Sequence, residues 1–132
     1  NTASCLASLK DKGYQIIATT PHNDSCALQD FDVTKKSAFV FGSEAEGVSE
    51  TVMENADGFL KIPMVGFTES LNISVAAAII LQEVTSKLRN SEVDWKLSDE
   101  EKQILYFNWL KTTIKNVDKI EAHYRQNLTN IK

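Results

Sequence analysis

One run constrains the fold of this chain more than any other: Ile62-Pro63-Met64-Val65-Gly66-Phe67-Thr68-Glu69-Ser70-Leu71-Asn72-Ile73-Ser74-Val75-Ala76. It reads as a strand end, a glycine turn, a polar pair and the start of an alanine-rich helix. Pro63 offers no backbone donor and so stops a strand, while Gly66 lets the chain turn back without a side-chain clash. The helix, read as Leu71 to Arg89, is apolar on every side through its first half, which predicts burial all round. Ala76, Ala77 and Ala78 suit a site where another backbone comes close.

The remaining pattern fits an α/β layout with a parallel sheet. Residues 2 to 12 read as the tail of a helix that ends near Gly13, where a missing Cβ suits a helix C-cap. Tyr14 to Thr19, Ser37 to Phe41 and Gly58 to Ile62 read as strands, with Pro21 to Thr34 a polar connection and Ser49 the cap of a helix to about Asn55. Three strands would leave one sheet edge open. Ligands of such sheets lie beyond the carboxyl ends of the strands, where the loops after Phe41 and Ile62 both fall.

The first of those loops, Gly42-Ser43-Glu44-Ala45-Glu46-Gly47, has the glycine spacing of a phosphate-binding loop. That motif requires Lys and then Ser or Thr after the second glycine, and here Val48 occupies the Lys position. Glu44 and Glu46 would also repel phosphate. Carboxylates beside close backbone suit a ligand that carries hydroxyls and a positive centre. In the second loop Ser70 and Asn72 sit where orphan helix amides meet hydroxyl-sized partners, with an ordinary helix cap as the alternative reading.

Composition sets bounds. The 132 residues are material for one sizeable core, and a net charge of -4 with pI near 5.2 does not by itself suggest nucleic acid. RNA binding would need a local basic surface or a further part of the protein. Cys5 and Cys26 lack metal-ligand spacing and read as reduced thiols of a cytoplasmic protein. No signal peptide is evident, and Val75 to Leu81 is too short to span a bilayer. The sequons at Asn23, Asn72 and Asn127 therefore read as accidental. His22 and His123, the only histidines, have no triad partner at readable spacing, which disfavours a hydrolase.

Past a linker, Ser98-Asp99-Glu100-Glu101 is a capping box that opens a long amphipathic helix. Phe107, Leu110, Ile114, Val117, Ile120 and Tyr124 form its expected stripe. Lys111, Lys115, Lys119 and His123 form a basic row beside it, read as a solvated face or an RNA-backbone contact.

The two loops together resemble the second and third motifs of the SpoU/TrmH branch of the SPOUT superfamily, whose members are trefoil-knotted, S-adenosylmethionine-dependent RNA ribose 2′-O-methyltransferases. Gln15 to Thr20 resembles the family strand that leads into the cofactor pocket, and the resemblance covers most of residues 2 to 90. It implies a C-terminal knot, a rare exception to the rule against threaded connections. It also implies cofactor contacts from Thr19, Gly42, Ile62, Met64 and Leu71, with Glu44, Ser70 and Asn72 at the reacting end. It further implies a tRNA or rRNA substrate, a homodimer with no membrane association, and no metal. Residues 1–90 would be the C-terminal part of the methyltransferase domain, 91–97 a linker and 98–132 a helical extension that packs on the catalytic domain or on the dimer mate. The family's first motif, an upstream Asn and Arg, has no counterpart, since Arg89 and Arg125 lie outside any such context. The expectation is a fragment of a longer enzyme, inactive alone. Two other classes stay open: a non-catalytic cofactor-binding or dimerisation module, and a generic nucleotide-binding α/β domain.

Overall fold

The computed structural model describes residues 1–21, 24–68 and 70–129. His22, the sequon residue Asn23 and Glu69 of the third motif lie outside the described residues. The chain divides into two units, Asn1–Asp94 and Trp95–Lys132.

The first unit is a parallel sheet with helices on both faces. Its elements are α1 (Thr2–Asp11), β1 (Gln15–Thr19), β2 (Cys26–Ala27), β3 (Ser37–Val40), α2 (Glu50–Asn55), β4 (Gly58–Lys61) and α3 (Ile73–Arg89), with a 3-10 turn at Leu28–Asp30. The strand order is β2-β4-β1-β3. Ile17 is in register with Phe39 on one side and with Gly58 on the other, so β1 is central. A central parallel strand is covered on both faces, which is why Ile16, Ile17 and Ala18 read as an unbroken apolar run. Ile17 joins Leu28, Phe31, Leu60 and Ile80 in the core beneath α3. Ile16 and Ala18 point the other way, to Leu6 of α1 and Val52 of α2. Full burial of one such aliphatic side chain contributes about 1.5–3 kcal/mol.

Four strands replace the three expected. The additional one, β2, lies in the segment read as a polar connection and pairs with β4 through Cys26↔Leu60 and Ala27↔Lys61. Two residues are too short to show an alternating pattern. The β4 edge is therefore covered by β2. Lys87 of α3 braces the turn that follows β2: its ammonium donates to the carbonyls of Leu28 (3.2 Å), Gln29 and Phe31 (3.4 Å).

Helix α3 starts at Ile73, two residues later than expected, because Asn72 is its cap. Its expected all-round burial is not met within the first unit: Ile80 is buried, whereas Val75, Ile79 and Leu81 are exposed. One face packs on the sheet, and no other described element of the first unit covers the rest.

In the second unit, the single long helix expected from Ser98 is two helices, α4 (Asp99–Thr113) and α5 (Val117–Thr129). The capping box at the start of α4 is formed, with Ser98 Oγ accepting from the Glu101 amide (3.2 Å) and Glu101 Oε2 accepting from the Ser98 amide (2.8 Å). The break comes where Ile114 turns extended and Asn116 adopts φ 58°, a left-handed conformation that Asn tolerates better than most residues. Glu121 of α5 then binds Lys111 of α4 at 2.5 Å and Arg125 at 2.6 Å. These cations, Lys111 first, hold the Glu121 carboxyl below its ordinary range. The break divides the expected stripe and basic row between two helices, and Lys111 is engaged by a carboxylate. Phe107, Leu110, Ile114, Ile120 and Tyr124 are all exposed.

Candidate functional site at the carboxyl edge of the sheet

Strands β1, β3 and β4 end at the same edge, and the loops that leave it border an open cavity of about 910 Å³. That volume lies in the range of small-molecule sites, about 300–1,000 Å³. Leu60, Ile62, Leu71 and Ile80 supply apolar lining, and Thr19, Ser43, Ser70 and Asn72 supply polar groups.

The loop after β3 is closed on itself. Ser43 and Gly47 exchange both backbone hydrogen bonds, at 2.9 and 3.0 Å, and the Glu46 amide donates to Ser43 Oγ at 3.1 Å. Gly47 takes φ +69°, which favours glycine. Gly42 is required for a different reason: a Cβ there would lie 2.6 Å from the Gly47 carbonyl oxygen and closer still to backbone atoms of Gly47 and Val48. Turned back in this way, the loop presents Glu44, Ala45 and Glu46 to the cavity.

The loop after β4 runs from Ile62 to Asn72 and returns to the same place. Asn72 Oδ1 accepts from the Ser74 amide (3.0 Å) and from Ser74 Oγ (2.6 Å), which caps α3. Asn72 Nδ2 donates to Glu44 Oε1 at 3.0 Å. One side chain thus caps a helix and ties the two loops together across 28 residues of sequence. The helix-cap reading of Asn72 is met by the Oδ1 end of its amide, which leaves the Nδ2 end to hold Glu44.

All eight residues singled out from the sequence line this one cavity: Thr19, Gly42, Glu44, Ile62, Met64, Ser70, Leu71 and Asn72. Thr19 Oγ1 donates to the Val40 carbonyl at 3.1 Å, so its hydroxyl binds β1 to β3. Ser49 begins α2 without a side-chain capping bond, which limits it to a backbone role. The sequence reading did not include Lys61, the last residue of β4, which also lines the cavity. Its signal was a charged residue between apolar Leu60 and Ile62. Val48, Met53 and Ala76 were likewise not assigned to the lining, since their roles depend on how α2 and α3 pack.

A sequence model of the SpoU rRNA Methylase family matches residues 1–82. A tRNA (guanosine(18)-2′-O)-methyltransferase of Borreliella burgdorferi is 39% identical over 121 residues, which are 92% of this chain and 56% of that protein. The enzyme of the same name from Thermus thermophilus is 41% identical over 105 residues, 78% of this chain and 54% of its own. Among solved structures, the TrmH/SpoU tRNA modifying enzyme of A. aeolicus superposes with a TM-score of 0.70 at 38% identity, covering 87% of this chain and 60% of that one. The SpoU methyltransferase AviRb from Streptomyces viridochromogenes, in complex with AdoMet, superposes with a TM-score of 0.59 at 28% identity, covering 68% and 36%. The chain spans about half the length of the curated relatives it matches. With the family match running from α1 into α3 and taking in both cavity loops, the chain belongs to the SpoU rRNA methylase family.

Proposed function

We propose that this chain is the cofactor-binding part of an S-adenosylmethionine-dependent RNA ribose 2′-O-methyltransferase acting on tRNA or rRNA, with residues 1–90 belonging to its knotted catalytic domain, 91–97 a linker and 98–132 a helical extension. The observation that carries the reading is the Asn72–Glu44 hydrogen bond, which joins the two motif loops over one cavity. The lining fits the cofactor: apolar side chains for a purine, hydroxyls and backbone for a ribose, and carboxylates for positive charge. When bound, S-adenosylmethionine supplies a methyl group on a sulfonium, open to in-line attack by a ribose hydroxyl.

The chain's own residues bind and orient. Thr19, Gly42, Ile62, Met64 and Leu71 form the adenosine-side wall, with Gly42 keeping the backbone close. Glu44, Ser70 and Asn72 lie at the reacting end, where the Asn72–Glu44 pair fixes the loop that faces the incoming hydroxyl; positioning of this kind is a principal source of rate in group transfer. The active assembly is a homodimer formed through the exposed face of α3.

Calorimetry with S-adenosylhomocysteine on the folded 132-residue chain tests the pocket. Binding is expected, weaker than in a complete enzyme because part of the preorganisation is missing, each tenfold loss being about 1.4 kcal/mol. No heat and no thermal shift at millimolar ligand would overturn the assignment.

A further inference from the structure

Among the described residues, three charged side chains line the cavity: the carboxylates of Glu44 and Glu46 and the ammonium of Lys61. None of them pairs with an opposite charge among those residues. The Asn72 amide that binds Glu44 is neutral and leaves its charge in place. Lys61 is half-buried at the carboxyl end of β4, held by its register with Ala27 of β2 and following the fully buried Leu60. A lysine ammonium at a cavity wall with no carboxylate paired to it among the described residues is available to a bound carboxylate through charge-assisted hydrogen bonds.

The cavity thus carries two negative groups and one positive. S-adenosylmethionine carries the inverse set: a sulfonium, an α-ammonium and one carboxylate. We propose that Lys61 holds the carboxylate of the cofactor's amino-acid moiety, with Glu44 and Glu46 on the side of its positive centres. This inference rests on the cofactor reading given above. An RNA phosphate is the competing anion for Lys61, and the two nearby carboxylates disfavour it, because they would repel a phosphodiester while attracting the ammonium beside the amino-acid carboxylate.

The test compares two ligands that share adenosine and sulfur. S-adenosylhomocysteine has the amino-acid group, and 5′-methylthioadenosine lacks it. In calorimetry on the 132-residue chain, Lys61→Met should weaken S-adenosylhomocysteine about tenfold, the scale of one hydrogen bond to a charged group, and leave 5′-methylthioadenosine unchanged. Lys61→Arg should retain most of the affinity. Undiminished 5′-methylthioadenosine binding also shows that the variant's pocket is folded. An equal effect on both ligands, or no effect on either, overturns the role of Lys61 while the cofactor reading stands. Unchanged S-adenosylhomocysteine affinity with weaker binding of an RNA oligonucleotide overturns it in favour of a phosphate contact. A wild-type chain that binds neither ligand overturns the cofactor reading together with this one.

Discussion

Asn72 does two jobs with one amide, and substitutions can separate them. Asp caps a helix as well as Asn does, so Asn72→Asp keeps the acceptor that serves Ser74. It also replaces the donor to Glu44 with a like charge, which opens the contact between the loops. In a methyltransferase containing this chain, as proposed above, Asn72→Asp should therefore melt close to wild type yet lose about 10²-fold in single-turnover methyl transfer, the order of one lost positioning group. Asn72→Ala should lose similar activity and in addition about 0.5–2 kcal/mol of stability. A folded, fully active Asn72→Asp enzyme would remove the amide from the site. Asp57 likewise has two partners: Oδ2 accepts from the Ile16 amide at 2.7 Å and Oδ1 from Lys10 at 3.0 Å. The Ile16 amide first, then Lys10, holds its carboxyl below the usual range. A depressed carboxylate stabilises the fold fully above the unfolded aspartate value, about 3.9, and that contribution fades as pH falls towards the folded value. Melting temperatures of wild type and Asp57→Asn should differ most near neutral pH and converge below about pH 4; a gap that persists in acid would show that charge is not its source.

At the scale of elements, the ends are fixed by single side chains. Ser98→Ala removes one half of the capping box of α4 and should cost about 1 kcal/mol, read as lower helical circular dichroism in the second unit, while ligand binding in the first unit is unchanged. Elements with local causes were legible from the sequence. Pro63, Gly42, Gly47 and the Ser98–Glu101 spacing act within a few residues, and β1 announces itself by burial on both faces. Elements with distant causes were not. Strand β2 exists because β4 offers an edge some 34 positions later in register, Cys26↔Leu60, and a two-residue strand leaves no periodic trace. The division between α4 and α5 depends on Asn116 entering a left-handed conformation, which an apolar repeat running through residues 107–124 conceals. In the cavity, the residue types of both loops were readable in order. That Asn72 reaches Glu44, and that Lys61 shares their wall, are consequences of the sheet that brings β3 and β4 to either side of β1.

At the scale of the molecule, the exposed apolar surface of α3 and its preceding loop calls for a partner. Val65 and Phe67 are almost wholly exposed, and Val75, Ile79 and Leu81 of the helix are exposed as well. A patch of this kind marks an association site more often than free surface. Light scattering should show self-association of the 132-residue chain, and Leu81→Glu should shift it towards monomer; a clean wild-type monomer at high concentration would contradict the proposed dimer. The strand order carries a last consequence, for synthesis on the ribosome. The central strand β1 is made first, but its flanking partners, residues 37–40 and 58–61, emerge later, and Ile80, which covers one of its faces, later still. Leu6 of α1 is already made when Ile16 and Ala18 appear, but neither edge of β1 nor the face carrying Ile17 can be completed until these later residues emerge. Completion of this sheet therefore waits on pairings distant in sequence, the kind of contact that slows folding and prolongs the exposure of an unpaired strand.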